Sequence, residues 1–293
     1  MRSKHPIHYD FFTYRLITWQ IMHFIDICNV LASVLTLTSS ILQFRYNLSR
    51  SRSRGSGSIR NLSYDYIILQ GITTMALLTY TLVYFLQPVL QLYRTRYIFL
   101  ESTTNTIPFN SLTFLFEGLA LLPQAILLYQ LRAYKSTATL HQGLSLNCIG
   151  FLILITLPLI YFIKCLLFQQ MKINNLDIAD SIWFISKTVA AVQYMPQIVI
   201  NWTSESVEGL HSWWLFTCCG TVLLPLIGRV VNTILLLGKE GGNKGGYEWF
   251  ELPINFPTWP VMVGQGMSLL IIAIQLRLYR GLQNTDKIHH KSV

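Results

Sequence analysis

Charge is what this chain lacks. Only 12% of its 293 residues are Asp, Glu, Lys or Arg, about half the share found in soluble globular domains, so a hydrated polar shell cannot be built from it. Acids are the scarcer sign, 13 against 22 bases. The five cysteines, Cys28, Cys148, Cys165, Cys218 and Cys219, have the spacing of neither a disulfide framework nor a metal site. No nucleophile elbow, phosphate loop, zinc motif or pair of catalytic carboxylates in a polar domain occurs. These absences argue against an enzyme and against a cofactor. The excess of base, net +9, falls mainly between apolar runs, where it answers anionic lipid and sets orientation instead of meeting nucleic acid.

What is abundant is apolar surface: 52% of residues are hydrophobic, 13% aromatic, and the mean hydropathy is +0.42. About 20 apolar residues in a helix cross the hydrocarbon core, and seven such stretches can be read. They run over Thr18 to Phe44, Asp65 to Leu90, Ser111 to Leu131, Ser145 to Phe168, Ile178 to Trp202, His211 to Leu237 and Thr258 to Tyr279. The expectation is an all-α transmembrane protein forming one membrane domain over 1–293. The first stretch is too long for a signal-peptide core and carries Asp26, so it reads as an uncleaved span. Arg45, Arg50, Arg52, Arg54 and Arg60 make the most basic short loop, joined by Arg132, Lys135 and the tail from Arg277 to Lys291. That side is expected in the cytosol, with a lumenal N-terminus and a cytosolic C-terminus. The glycosylation triplets at Asn47, Asn61 and Asn201 would share the cytosolic side and stay unmodified.

Two Pro-Gln pairs, Pro123-Gln124 and Pro196-Gln197, lie inside helix-length apolar segments. Proline removes a backbone donor and frees a carbonyl, and a neighbouring amide such as Gln is suited to answer it. Internal likeness accompanies the pairs. The third span ends Gln130-Leu131-Arg132-Ala133-Tyr134-Lys135 and the seventh Gln275-Leu276-Arg277-Leu278-Tyr279-Arg280, while Leu42-Gln43 and Asn47 of span one echo Pro196-Gln197 and Asn201 of span five. Spans one to three would then match five to seven.

The run Pro196-Gln197, Asn201-Trp202, Ser206-Val207-Glu208-Gly209-Leu210 closely resembles the signature of the PQ-loop membrane proteins, the superfamily of cystinosin, the vacuolar basic amino acid transporters, the SWEET sugar carriers and the KDEL receptors. Glu117 through Gln124 is also similar to the KDEL-receptor helix that ends Leu-Pro-Gln. The resemblance implies a 3+1+3 plan: a three-helix bundle over 18–131, a linker helix over 145–168 and a parallel second bundle over 178–280. It further implies a transporter of a small polar, amino-acid-like solute, working by alternating access in an internal membrane such as the vacuole, lysosome, Golgi or ER. Related alternatives are a phospholipid scramblase or regulator of lipid asymmetry, and a trafficking receptor. In the transporter reading Pro196 and Pro123 hinge, Gln197, Gln124 and Gln43 satisfy freed backbone groups and narrow the cytosolic gate, and Asn201 caps span five. The chain departs from the family pattern at Leu42, where Pro is expected, and at His211, where Ser is usual.

Asp26, Glu117, Lys187 and Arg229 each fall about 9 to 13 Å inward from the predicted lumenal ends of their spans, with Gln265 and Asp180 nearby. Two acids and two bases at one depth either neutralise one another as structural ion pairs or line a wet pocket that meets a polar solute and, through Glu117 or Asp26, a proton.

Overall fold

The computed structural model describes residues 9–54, 58–86, 89, 92, 111–138, 142–168, 173–237 and 259–289. It describes the side chains of 24–49, 58–86, 89, 92, 111–138, 142–168, 173–228, 230, 231 and 260–279. Among these residues the chain is helical and has no strand. The helices are α1 (Tyr9–Arg54), α2 (Tyr64–Tyr84), α3 (Ser111–Ala133), α4 (Leu146–Leu167), α5 (Asn175–Val192), α6 (Met195–Thr203), α7 (Trp214–Leu237) and α8 (Trp259–His289). Among the described residues five stretches are long and apolar enough to cross a bilayer: Phe24–Ser49 in α1, α2, α3, α4 and Pro260–Tyr279 in α8. Their outward faces carry large apolar side chains such as Leu122, Leu146, Leu154 and Leu167, suited to acyl chains.

Local chemistry sets the helix ends. Ser63 and Ser145 cap α2 and α4 by accepting from the N–H of Tyr66 and of Cys148, and Asn174 with Asp177 forms a reciprocal capping box at the start of α5. The fifth apolar segment departs from the sequence expectation of one continuous helix. It divides at Gln193–Tyr194 into α5 and α6, with Pro196 in the first turn of α6. Proline cannot donate to the carbonyl of Val192, and its ring crowds that carbonyl. At the matching place in span one stands Leu42, and α1 runs through it unbroken. Pro123 leaves α3 unbroken too, so no break marks it as a hinge. The second span also differs, ending at Tyr84 before the expected limit of Leu90.

Helix α1 packs on α3 and α7; α2 on α3, α5 and α6; α8 on α5, α6 and α7; and α4 on α5. Small residues permit the α1–α7 approach, since a Cβ on Gly220 would lie 2.4 Å from Leu35 Cδ1. The largest buried cluster gathers Ile59, Leu62, Tyr66, Leu131, Tyr194 and Trp214 beneath the loops that join α1 to α2 and α6 to α7. Those two loops and the cavity below them form the candidate site.

Candidate functional site

The loop end holds one hydrogen-bond pattern twice. In the first copy Gln43 Nε2 donates to Asn47 Oδ1 (3.1 Å), Asn47 Nδ2 to Gln130 Oε1 (3.0 Å), and Gln130 Nε2 to the carbonyl of Phe44 (3.2 Å). In the second Gln197 Nε2 donates to Asn201 Oδ1 (2.8 Å), Asn201 Nδ2 to Gln275 Oε1 (3.1 Å), and Gln275 Nε2 to the carbonyl of Ile198 (3.0 Å). The leading glutamines then cross over. Gln43 donates to the carbonyl of Gly209 (2.8 Å) and accepts from the N–H of His211 (3.2 Å). Gln197 donates to the carbonyl of Asn61 (2.9 Å) and accepts from the N–H of Ser63 (2.9 Å). Both glutamines and both asparagines are buried, so nearly every amide group is answered by protein.

This geometry corrects three sequence expectations. Gln197 satisfies the loop beyond the opposite helix, not the carbonyl that Pro196 frees, and Gln43, which follows Leu42, does the same in the other direction. Asn201 joins α6 to α8 through Gln275 instead of capping the end of span five. Gln124 donates to Thr74 Oγ1 at 3.1 Å, far from the loops. Two members of the network, Gln130 and Gln275, were not among the expected site residues, although they head the repeated Gln-Leu-Arg peptides. The asparagines of the three glycosylation triplets, Asn47, Asn61 and Asn201, are all buried.

The loops meet at backbone distance. A Cβ on Gly209 would lie 2.2 Å from the carbonyl oxygen of Asn61, which itself takes a left-handed φ of 63°. Three residues past Ser63 and past His211 stand Tyr66 and Trp214, which also touch, indole Nε1 donating to the phenol at 3.1 Å. Tyr194 completes the trio, with ring centroids 5.8 Å from Tyr66 and 5.9 Å from Trp214. These rings form an apolar floor under the loops.

Below that floor lies a cavity of about 240 Å³ lined by Asp26, Ser33, Glu117, Lys187, Gln193 and Gln265, among others. Four of the five residues expected in a pocket thus share one cavity; the side chain of Arg229 lies outside the described residues. Glu117 is buried and accepts from Ser33 Oγ at 2.8 Å. Lys187 is within electrostatic reach of that carboxylate. Ser33 and Lys187 occupy equivalent places, each ten residues before the leading glutamine of its half. The charged pair therefore breaks the internal symmetry that the loop end keeps. Thr73 Oγ1, Thr113 Oγ1 and Gln193 Oε1 also line the cavity, buried and with no protein partner among the described residues, as expected where a polar solute or water completes the set.

His211 replaces the serine cap found in the first loop. Its Nδ1 accepts from the N–H of Trp213 at 3.2 Å, and the Tyr46 ring of α1 packs edge-on against it at 5.5 Å. Partial burial holds its pKa below the ordinary imidazole value, and only the neutral ring can accept that bond. The contribution is therefore complete above about pH 6.5 and lost as pH falls through the folded pKa. His211→Ser is expected to keep the cap and remove part of the acid sensitivity. Thermal unfolding of both proteins in detergent, at neutral pH and at about pH 5, checks this; an unchanged difference between the two pH values would assign the sensitivity elsewhere.

No family model matches the chain. It is 26% identical over 264 residues to the uncharacterized protein YCL002C of Saccharomyces cerevisiae, an alignment covering 84% of this chain and 91% of that protein.

Proposed function

We propose that this chain is a PQ-loop-type transporter that moves a small polar, amino-acid-like solute across an internal membrane by rocking two three-helix bundles about a central cavity. The duplicated glutamine-asparagine-glutamine network is the observation that carries the reading. The helix contacts support it: exchanging span one with five, two with six and three with seven turns α1–α3, α2–α3 and α1–α7 into α5–α8, α7–α8 and α5–α2, each of which occurs. Helix α4 is left over as the linker, giving the 3+1+3 plan. The loop end would be the closed cytosolic gate, with the N-terminus lumenal, and the cavity holding Glu117, Lys187, Asp26 and Gln265 would receive the solute and, on an acid, a proton.

Pro196 is the hinge in this scheme. Pro196→Leu copies the Leu42 arrangement of the first half and removes a helix-breaking term of roughly 3 kcal/mol, favouring one straight span. Uptake into vesicles containing the purified variant is expected to fall at least about tenfold, the equivalent of ~1.4 kcal/mol on the barrier. Wild-type uptake by the variant would remove Pro196 from the mechanism; flipping of fluorescent lipid without solute would move the protein to lipid translocation.

A further inference from the structure

We infer that the solute of the central cavity is an amino acid with a short, uncharged side chain ending in a hydrogen-bond donor, the class of serine, threonine, asparagine and glutamine, and that Gln193 reads the donor. The inference deepens the transport reading above and rests on it. It comes from where the cavity holds its charges and where it holds an unanswered amide.

The charged groups stand together. Glu117 and Lys187 line the cavity within electrostatic reach of each other, with Asp26 in the same wall. Thr73 belongs to this level, because its carbonyl accepts from Oγ of Ser186, the neighbour of Lys187, at 3.1 Å. Gln193 follows Lys187 by six residues, which places it about 9 Å nearer the loop end. Its side chain lines the cavity and is 6% exposed, and its Oε1 has no protein partner among the described residues. The lining at this second level is uncharged there: Ser39 four residues before Gln43, Gln70 four after Tyr66 and Cys218 four after Trp214. Ser39 is also the counterpart of Gln193 in the first half, and its hydroxyl donates within its own helix to the carbonyl of Thr36 at 2.8 Å. The open amide therefore belongs to one half alone.

An amide oxygen accepts and never donates, so the group that completes Gln193 brings an N–H or an O–H. A cationic donor would find no carboxylate at this level among the described residues, and burying an unpaired charge is far costlier than burying an amide or hydroxyl. A carboxylate would set one acceptor against another. Size narrows the class further. An apolar cavity of about 150 Å³ takes up benzene, so the 240 Å³ present here admits roughly ten non-hydrogen atoms, the size of glutamine. The amino and carboxyl groups of such a solute meet Glu117 and Lys187 while its side chain extends to Gln193. Because the fifth span breaks at Gln193–Tyr194, that last contact falls on the part of the span that bends.

Titration calorimetry of the full-length protein in detergent tests the inference, with threonine set against valine and glutamine against methionine. Each pair is close in size and differs in the donor. The wild type is expected to bind the donor-bearing member at least about tenfold more tightly, and Gln193→Met, which keeps the length and removes the oxygen, to bind both members about equally. Gln193→Glu keeps the acceptor and adds a charge, so it should bind lysine at least about tenfold more tightly than the wild type does. Equal affinities within each pair for the wild type, as when water alone answers Gln193, would overturn the inference. So would undiminished discrimination by folded Gln193→Met, a wild-type preference for lysine or arginine, or no gain for lysine in folded Gln193→Glu. The wild-type comparison decides even where neither variant folds. Binding and uptake of another class of amino acid would end this inference and leave the transport reading standing, whereas a protein that neither binds nor takes up any amino acid would end both.

Discussion

Alanine at position 43 is expected to cost as much stability as alanine at position 197, roughly 3 kcal/mol each, although only Gln197 follows a proline. Each glutamine donates to one loop carbonyl and one asparagine and accepts from one loop N–H. Removing either leaves three groups in a buried setting short of partners, and an unmet buried donor or acceptor costs about 1–3 kcal/mol before water or local shifts recover part of it. Gln197→Glu sharpens the case. Its carboxylate can still accept from Ser63, but it turns acceptor oxygens on the carbonyl of Asn61 and on Asn201 Oδ1, so it should be no better than alanine. The two single losses should add to less than their sum in the double variant, because both glutamines hold the same pair of loops in contact at Gly209 and Asn61. Chemical unfolding in detergent measures all four proteins. A near-neutral Gln43→Ala beside a damaging Gln197→Ala would mean that the proline motif, not the duplicated network, organises this end.

Much of this arrangement was legible in the sequence because side chains that perform one job twice stay recognisable. Gln43 with Asn47 and Gln197 with Asn201 keep a four-residue spacing, so each glutamine lies one turn from its asparagine, and Gln130 and Gln275 head nearly identical peptides. The two facts describe one structure, since the third glutamine supplies the acceptor that each asparagine needs. What could not be read was the crossing. Partners such as the carbonyl of Gly209 and the N–H of Ser63 are backbone groups and leave no trace in residue identity. A reading of the glutamines as partners of freed backbone groups therefore could not name the loop that each one reaches. Pro196 and Leu42 differ in the sequence, and the broken α5–α6 against the continuous α1 follows from that difference. Pro123 shows the limit of the same logic, because an interior proline in a membrane helix can be absorbed by packing without a break. The depth estimate that grouped Asp26, Glu117 and Lys187 used only the constant rise of a helix, and the three residues line one cavity. It missed Ser33, whose hydroxyl is the group that Glu117 meets.

Neutralising Glu117 and Lys187 separately and together distinguishes a solute site from a structural ion pair. Removing one of two charges that face each other across an enclosed site leaves the other less compensated, whereas replacing both by neutral groups of similar size is often nearly neutral. Glu117→Gln preserves the bond from Ser33, since the amide oxygen can still accept, and Lys187→Met keeps most of the aliphatic length. Each single variant is therefore expected to lose stability, and the double variant to regain most of it. Uptake should behave otherwise. If the carboxylate meets the amino group or proton of the solute and the ammonium its acidic group, all three variants should transport at least about a hundredfold more slowly than wild type, the loss of ~2.7 kcal/mol of interaction in the transport step. Recovery of uptake together with stability in the double variant would reduce the pair to a strut between α3 and α5 and leave the solute to the hydroxyl and amide groups that also line the cavity. The broken symmetry favours the first outcome. The loop end keeps matching residues in both halves because it only has to close, while Glu117 and Lys187 stand in unlike environments, as recognition of a solute with two different ends requires.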